Sequence, residues 1–303
     1  MSPAFTRWLN ELESFQSRRG AGIAANPDAE LESLASTIDS LAVDGLDYRM
    51  AAHSLIALER AALLNERRDF ESAIALARSC SVPDSVSGAP AELIKVNREL
   101  MIGSILLTRK GDAAAALPYF DKAISESSIR TTFARGNALI NRGICLQLIG
   151  NNDNALKSYK AAADCYQILQ RRDTLGEALH CIGNIYRSMG DPYHAVLYLQ
   201  QAIESFTDGT RPQQFWYVAD DLSRAYLTLA KERKTERAQW FKLASDYSDM
   251  ATAAASEVWN NNVDDPGRLL DLSDQMTNHT ITKCDIADGK DSGFEILCTL
   301  ALM

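Results

Sequence analysis

Residues 179–202 read LHCIGNIYRSMGDPYHAVLYLQQA, and the spacing inside this stretch decides the fold. Gly183 is followed by Gly190 after seven residues, Ala195 after five more, Leu199 after four and Ala202 after three. The same 7-5-4-3 spacing recurs as Gly143, Gly150, Ala155, Tyr159, Ala162, and again as Ser104, Gly111, Ala116, Phe120, Ala123. A fainter copy runs Ala61, Arg68, Ala73, Ala77, Cys80. A degenerate fifth is anchored on Ser223 and Tyr226, with its turn lengthened around Lys231 to Glu236. The physical content is a helix, a tight turn and a second helix. A small residue in mid-helix lets the next helix approach, a glycine or polar residue ends the first helix, and alanine recurs where the second crosses the first. In Asp191-Pro192 the aspartate suits the cap of the second helix and the proline its first position.

Around Gly183 the pattern Leu179-x-x-Ile182-Gly183-x-x-Tyr186, with Ala195 and Leu199 downstream, resembles the tetratricopeptide repeat, in which W-x-x-L-G-x-x-Y precedes an alanine and an aromatic. The resemblance covers residues 54 to 245. Anchors lie 43, 39, 40 and 40 residues apart, against about 34 in the standard repeat. Such long repeats are similar to those of kinesin light chains, cortical polarity adaptors and some bacterial peptide-responsive regulators. The resemblance implies an all-α fold, a right-handed α-solenoid of tetratricopeptide-like helical hairpins.

Outside the repeats, residues 1–47 read as two capping helices, the first with Phe5, Trp8, Leu9, Leu12 and Phe15 on one face. That stripe either closes the end of the array or lies in the protein's own groove as an inhibitor. Residues 48–80 form a first, divergent helix pair, residues 91–259 the main array, and the loop Ser81 to Pro90 the expected break between them. A long alanine-rich helix is expected from Trp240 to Trp259. Residues 260–303 read as an acidic segment with a short helix after Asp265-Pro266 and a small β-hairpin from Thr280-Ile281-Thr282 and Phe294 to Leu297.

The formal net charge is −9, and between Asp246 and Glu295 eleven acidic residues face only Arg268, Lys283 and Lys290. The acidity is therefore C-terminal. Nucleic acid is not expected as a partner, because phosphate binding needs a concentrated Lys/Arg face and no such run exists. No stretch approaches the roughly 20 apolar residues of a membrane span, and the N-terminus carries charges where a signal peptide needs an apolar run. A cytoplasmic location follows by default, and the six scattered cysteines without C-x-x-C spacing read as reduced thiols rather than metal ligands. No nucleophile signature, P-loop or G-x-G-x-x-G is present, and His180 and Cys181 are sequence neighbours pointing about 100° apart on a helix. His279 and Cys284 lie near the expected hairpin and could approach each other, but catalysis or metal binding is not expected there. No enzyme, cofactor or metal is expected.

The resemblance implies a binding function instead. In tetratricopeptide arrays the first helix of each pair lines the concave surface, which places Leu58, Met101, Ile105, Ile140 and Ile144 in an apolar part of a groove. His180, Asn184, Arg187, Asp220 and Arg224 fall in a polar part, with Asn141, Gln147 and Asp221 close by. An asparagine amide both donates and accepts, matching the backbone of an extended peptide, and arginine adds a fork suited to a carboxylate. The lysine-based carboxylate clamp of chaperone cofactors does not fit, because Met101 and Glu177 stand where lysines are needed. The expected partner is a protein or peptide held in the groove, with a scaffold or adaptor as first reading. A peptide-sensing regulator acting through another protein is the second, since no N-terminal helix-turn-helix is evident. A non-catalytic subunit docking through the C-terminal hairpin is the third. Expected struts are the alternative role for Arg187, Asp220 and Arg224, which could pair between neighbouring helices.

Overall fold

A computed structural model describes residues 3–20, 26–38, 46–84, 86–128, 132–207, 211–232 and 235–260, which hold twelve α-helices and no strand. In chain order these are α1 (Pro3–Gly20), α2 (Pro27–Ser36), α3 (Leu46–Glu66), α4 (Phe70–Ser79), α5 (Ala89–Lys110) and α6 (Ala113–Glu126). They continue as α7 (Thr132–Leu148), α8 (Asn152–Ile168), α9 (Arg172–Ser188), α10 (Pro192–Glu204), α11 (Pro212–Glu232) and α12 (Arg237–Asn260). From α3 onward consecutive helices pair as hairpins, and each of the five sequence anchors lies in the first helix of its pair. The fold class is all-α, built of tetratricopeptide-like helical hairpins. The expected C-terminal helix and β-hairpin, with His279 and Cys284, lie outside the described residues.

The chain divides into two compact units, the first ending at Leu169 and the second beginning at Gln170. In the first, the leading helices α3, α5 and α7 are neighbours, while α4 packs on α5 and α6 on α7. The loop after α4 falls inside this unit: Leu55 and Ile56 of α3 share one core with Ala91 and Ile94 of α5. In the second unit, α9 and α11 are neighbours and α10 packs on α11.

Three hairpin turns are closed alike. The residue in the left-handed region is Arg68, Gly150 or Gly190, and the next residue's N–H reaches back to the carbonyl of Leu64, Leu146 or Tyr186 at 2.8–2.9 Å. Asp69, Asn151 and Asp191 then cap the second helix through their side chains, and Pro192 stands at its start as the sequence predicts. At α5 the left-handed Gly111 instead bonds Leu107, and Asp112 caps α6.

The anchors mark close approaches. A Cβ on Gly143 would meet the Tyr159 ring at 2.4 Å, and one on Gly183 would meet Leu199 at 2.6 Å. In the third copy the crowded position is Gly103, whose Cβ would meet the Phe120 ring at 2.8 Å, whereas the spacing points to Ser104. The contact thus sits one residue earlier, at the hairpin whose turn is built differently. In the fifth copy Ser223 is fully buried and its hydroxyl donates to the carbonyl of Ala244 at 2.7 Å, so α12 crosses α11 there.

The apolar stripe of α1 is buried throughout, with Phe5 and Phe15 inaccessible and the Trp8 indole N–H bonded to the carbonyl of Leu34. Its polar edge is bonded to α3: Gln16 and Arg19 both reach Glu59, and Arg19 also reaches Glu66.

Candidate functional site

The second unit carries a polar stripe along the whole of α9. Asp173, Glu177, His180, Asn184 and Arg187 are spaced four, three, four and three residues apart, which places them on one helical face. The neighbouring α11 answers with Asp221, Asp220 and Arg224, and Arg211 stands just before its start.

Asp221 is the centre of the arrangement. Its Oδ2 accepts from His180 Nε2 at 2.8 Å and from the amide of Asn184 at 2.8 Å, and its Oδ1 accepts from Arg187 at 3.1 Å. Its side chain is 15% exposed against 35% for Arg187, so the carboxylate lies beneath the guanidinium. Burial alone would raise this carboxyl. The His180 hydrogen bond and charge, the Arg187 guanidinium and the Asn184 amide outweigh it and hold the group down at about 2. An ionised carboxylate only accepts, so His180 carries its proton on Nε2. The 3.1 Å approach of that nitrogen to the Asn184 Nδ2 is then donor against donor and is not a bond. Asn184 Oδ1 accepts from Arg187 at 3.3 Å, so both sides of its amide are set by neighbours.

Arg224 pairs with Asp220 along its own helix at 2.8 Å. Arg211 forks to Asp173 at 2.9 Å and Glu177 at 2.8 Å. Burial pushes the Glu177 carboxyl up, with Arg211 opposing and Asp173 adding to the rise. Burial, helped by Glu177 and Asp221, also pushes the Cys181 thiol up to about 12. Carboxylates and guanidiniums are nearly balanced on this face, which therefore offers donors and acceptors side by side.

The residues expected in the apolar part of the groove fall in the first unit and do not form one surface. Ile105 is fully buried, packed with Ala73 and Ile74 of α4, and Leu58 is buried in the core beneath α1. Neither lines a groove, because a neighbouring helix already covers the position that the repeat register marks as open. Met101 is half-buried against those same clusters and Ile144 is half-buried on α7. Asn141 donates to the carbonyl of Asn137 at 3.0 Å within its own helix. Arg187 does act as a strut between helices, as one reading of the sequence allowed, but its partner is Asp221 rather than Asp220. Asp221 as hub and Arg211 as clamp escape sequence reasoning. The face of Asp221 is legible from the helical period, but its partners depend on how α11 is rotated against α9. The four described cysteines are free, and among the described residues no group of His, Cys, Asp and Glu is placed to hold a metal.

A tetratricopeptide-repeat family profile matches residues 134–208. No curated protein sequence matches the chain. Among solved structures, the apo form of RapI is similar at 12% identity and a TM-score of 0.57, covering 97% of this chain and 93% of its own. A Rap protein complexed with Competence and Sporulation Factor is similar at 13% identity and a TM-score of 0.52, over 98% of each chain. A signal-transduction ATPase with a tetratricopeptide-repeat sensor from Pyrococcus horikoshii is similar at 16% identity and a TM-score of 0.59. That match covers 93% of this chain, which spans only 40% of the larger protein. At such identities the likeness is one of fold.

Proposed function

We propose that this chain, in which residues 134–208 match a tetratricopeptide-repeat profile, holds an extended peptide or protein segment against the first helices of its hairpins, with the face formed by α9 and α11 as the principal contact. The observation that carries this reading is the ordering of Asn184 and Arg187 by Asp221. Fixing an amide and a guanidinium in advance lowers the entropy lost when they bind a peptide backbone. Asn184 has a second amide N–H and further lone-pair capacity for a ligand, and Arg187 has donors beyond those used on Asp221.

Dodecapeptides selected from a displayed random library against the full chain provide the probe, resynthesised and titrated by fluorescence anisotropy. Truncating a bonded amide or guanidinium costs roughly 1–3 kcal/mol per bond, so Asn184→Ala with Arg187→Ala should raise Kd at least about tenfold. The melting temperature should fall as well, because these side chains bond Asp221, and a comparably destabilised control is therefore needed. Arg142→Ala removes a comparable strut, bonded to Asp121 and Ser158 in the first unit. It should lower stability while leaving Kd unchanged. Equal losses of affinity in both variants would place the peptide elsewhere.

The Rap protein complexed with Competence and Sporulation Factor favours a second reading. Its fold is shared over the N-terminal helices as well as the repeats, and a chain built this way can sense a peptide and signal through a partner protein. Titration of the selected peptide followed by small-angle scattering separates the two: a scaffold keeps its radius of gyration, and a sensor changes it.

A further inference from the structure

At the start of α9 the second unit holds a cleft of about 290 Å³, lined by Arg171, Arg172, Asp173 and Arg211 together with Ser205 and Phe206 just past α10. Three guanidiniums meet one carboxylate there. Asp173 serves two of them, accepting from Arg211 at 2.9 Å and lying 3.6 Å from Arg171. Glu177 adds a second counter-charge to Arg211 from outside the cleft. Arg172 donates to the backbone carbonyl of Glu204, a neutral partner that leaves its charge uncancelled. One wall is apolar: Phe206 is 2% exposed, and α9 comes so near that a Cβ on Gly176 would meet Ser205 at 2.6 Å and the Phe206 ring at 2.8 Å.

Guanidinium forks match the two oxygens of a carboxylate, and an apolar wall beside them accepts the side chain that such a group carries. The volume is at or below the small end of ligand pockets, room for about one residue rather than a whole ligand. We infer that this cleft takes the free C-terminal carboxylate of an extended peptide, with Arg172 as its fork. Arg211 connects the cleft to the polar stripe through Glu177, so the terminal residue would be anchored where the peptide leaves the α9–α11 face. The inference rests on the peptide-holding reading of that face.

Four probes test it on the full chain: acetyl-Gly-Gly-Leu with a free carboxylate, the same tripeptide as its C-terminal amide, acetyl-Gly-Asp-Gly-amide, and inorganic phosphate. Each is titrated to about 10 mM while the arginine Nε–H resonances are followed by NMR. The free acid should give a saturable shift that the amide does not, and Arg172→Gln should weaken it at least about tenfold. Arg172 is exposed and its one described bond is to the Glu204 carbonyl at the surface, so this variant should melt close to the wild type. A response to the amide, the aspartate probe or phosphate as strong as that to the free acid overturns the inference, and so does the absence of any saturable shift. A selected dodecapeptide that depends on Asn184 and Arg187 but is indifferent to C-terminal amidation would leave the face standing and sink the cleft. Saturation by the tripeptide with no selected peptide depending on Asn184 or Arg187 would do the reverse.

Discussion

Asp221 shows how a single carboxylate can organise a surface. Its folded value of about 2 lies below the ordinary value of 3.8. A depressed carboxylate contributes stability that is present above its unfolded value and lost as pH falls through its folded one. The window therefore runs from about pH 5 down to pH 2, and the contribution is on the order of 2 kcal/mol. Urea unfolding of the wild type and Asp221→Asn should show a stability gap at pH 6 that narrows toward pH 3. A constant gap would mean that Asp221 is not held by His180, Asn184 and Arg187 in solution. At Gly103 the expectation is steric. Gly103→Leu should cost about 1–3 kcal/mol by overpacking Phe120, despite a gain of up to about 1 kcal/mol in helix propensity. Ser104→Leu, at the half-buried neighbouring position, should cost less. Equal losses would restore the register read from spacing alone.

At the scale of elements, α1 is tied to α3 by a buried ion pair as well as by its apolar stripe. Burial pushes the Glu59 carboxyl up, and Arg19 and Gln16 oppose it. Removing one partner of a buried pair leaves an uncompensated charge, so Arg19→Met should cost about 3 kcal/mol, whereas Glu59→Gln with Arg19→Met together should cost less than that single change. Chemical denaturation of the double-mutant cycle checks both. The bonds described for α1 run to α2 and α3, whereas the candidate face belongs to α9 and α11. Deleting residues 1–20 should accordingly destabilise the chain without tightening peptide binding, and a tighter Kd would make α1 an inhibitor. Much of this element structure was legible. Asp191-Pro192 announced a turn and cap, the spacing of Phe5, Trp8, Leu12 and Phe15 announced a buried helix, and small anchors announced close crossings. What was not legible is rotational: Ile105 and Asp221 occupy the helical faces that the period assigns, yet one is covered by α4 and the other is tied to α9. A one-dimensional period fixes a face but not the neighbour that meets it.

For the whole molecule, circular dichroism should be dominated by helix, and a spectrum with more strand than helix would contradict the fold. No helix among the described residues is long and apolar enough to cross a membrane. In arrays of repeats each hairpin contacts chiefly its neighbours, so stability is close to a sum of local terms and opening can be local. The hairpin on α7 and the hairpin on α9 lie in different compact units, so the two have reason to open with different free energies.

The cysteines turn that difference into something that can be timed. Burial pushes the Cys145 thiol up to about 11 in the first unit and the Cys181 thiol up to about 12 in the second. Only the thiolate attacks an alkylating reagent, so both sulfurs react slowly until local opening restores an ordinary acidity. Each rate is compared with that of the same site in urea, because Cys145 is buried whereas Cys181 is half-buried. With Cys284 and Cys298 replaced by serine, iodoacetamide uptake at each site, read by mass spectrometry, becomes a stopwatch started by local opening. Unequal rates would record hairpins that breathe separately, equal rates one concerted event, and a peptide seated on α9 and α11 should slow the clock at Cys181 alone.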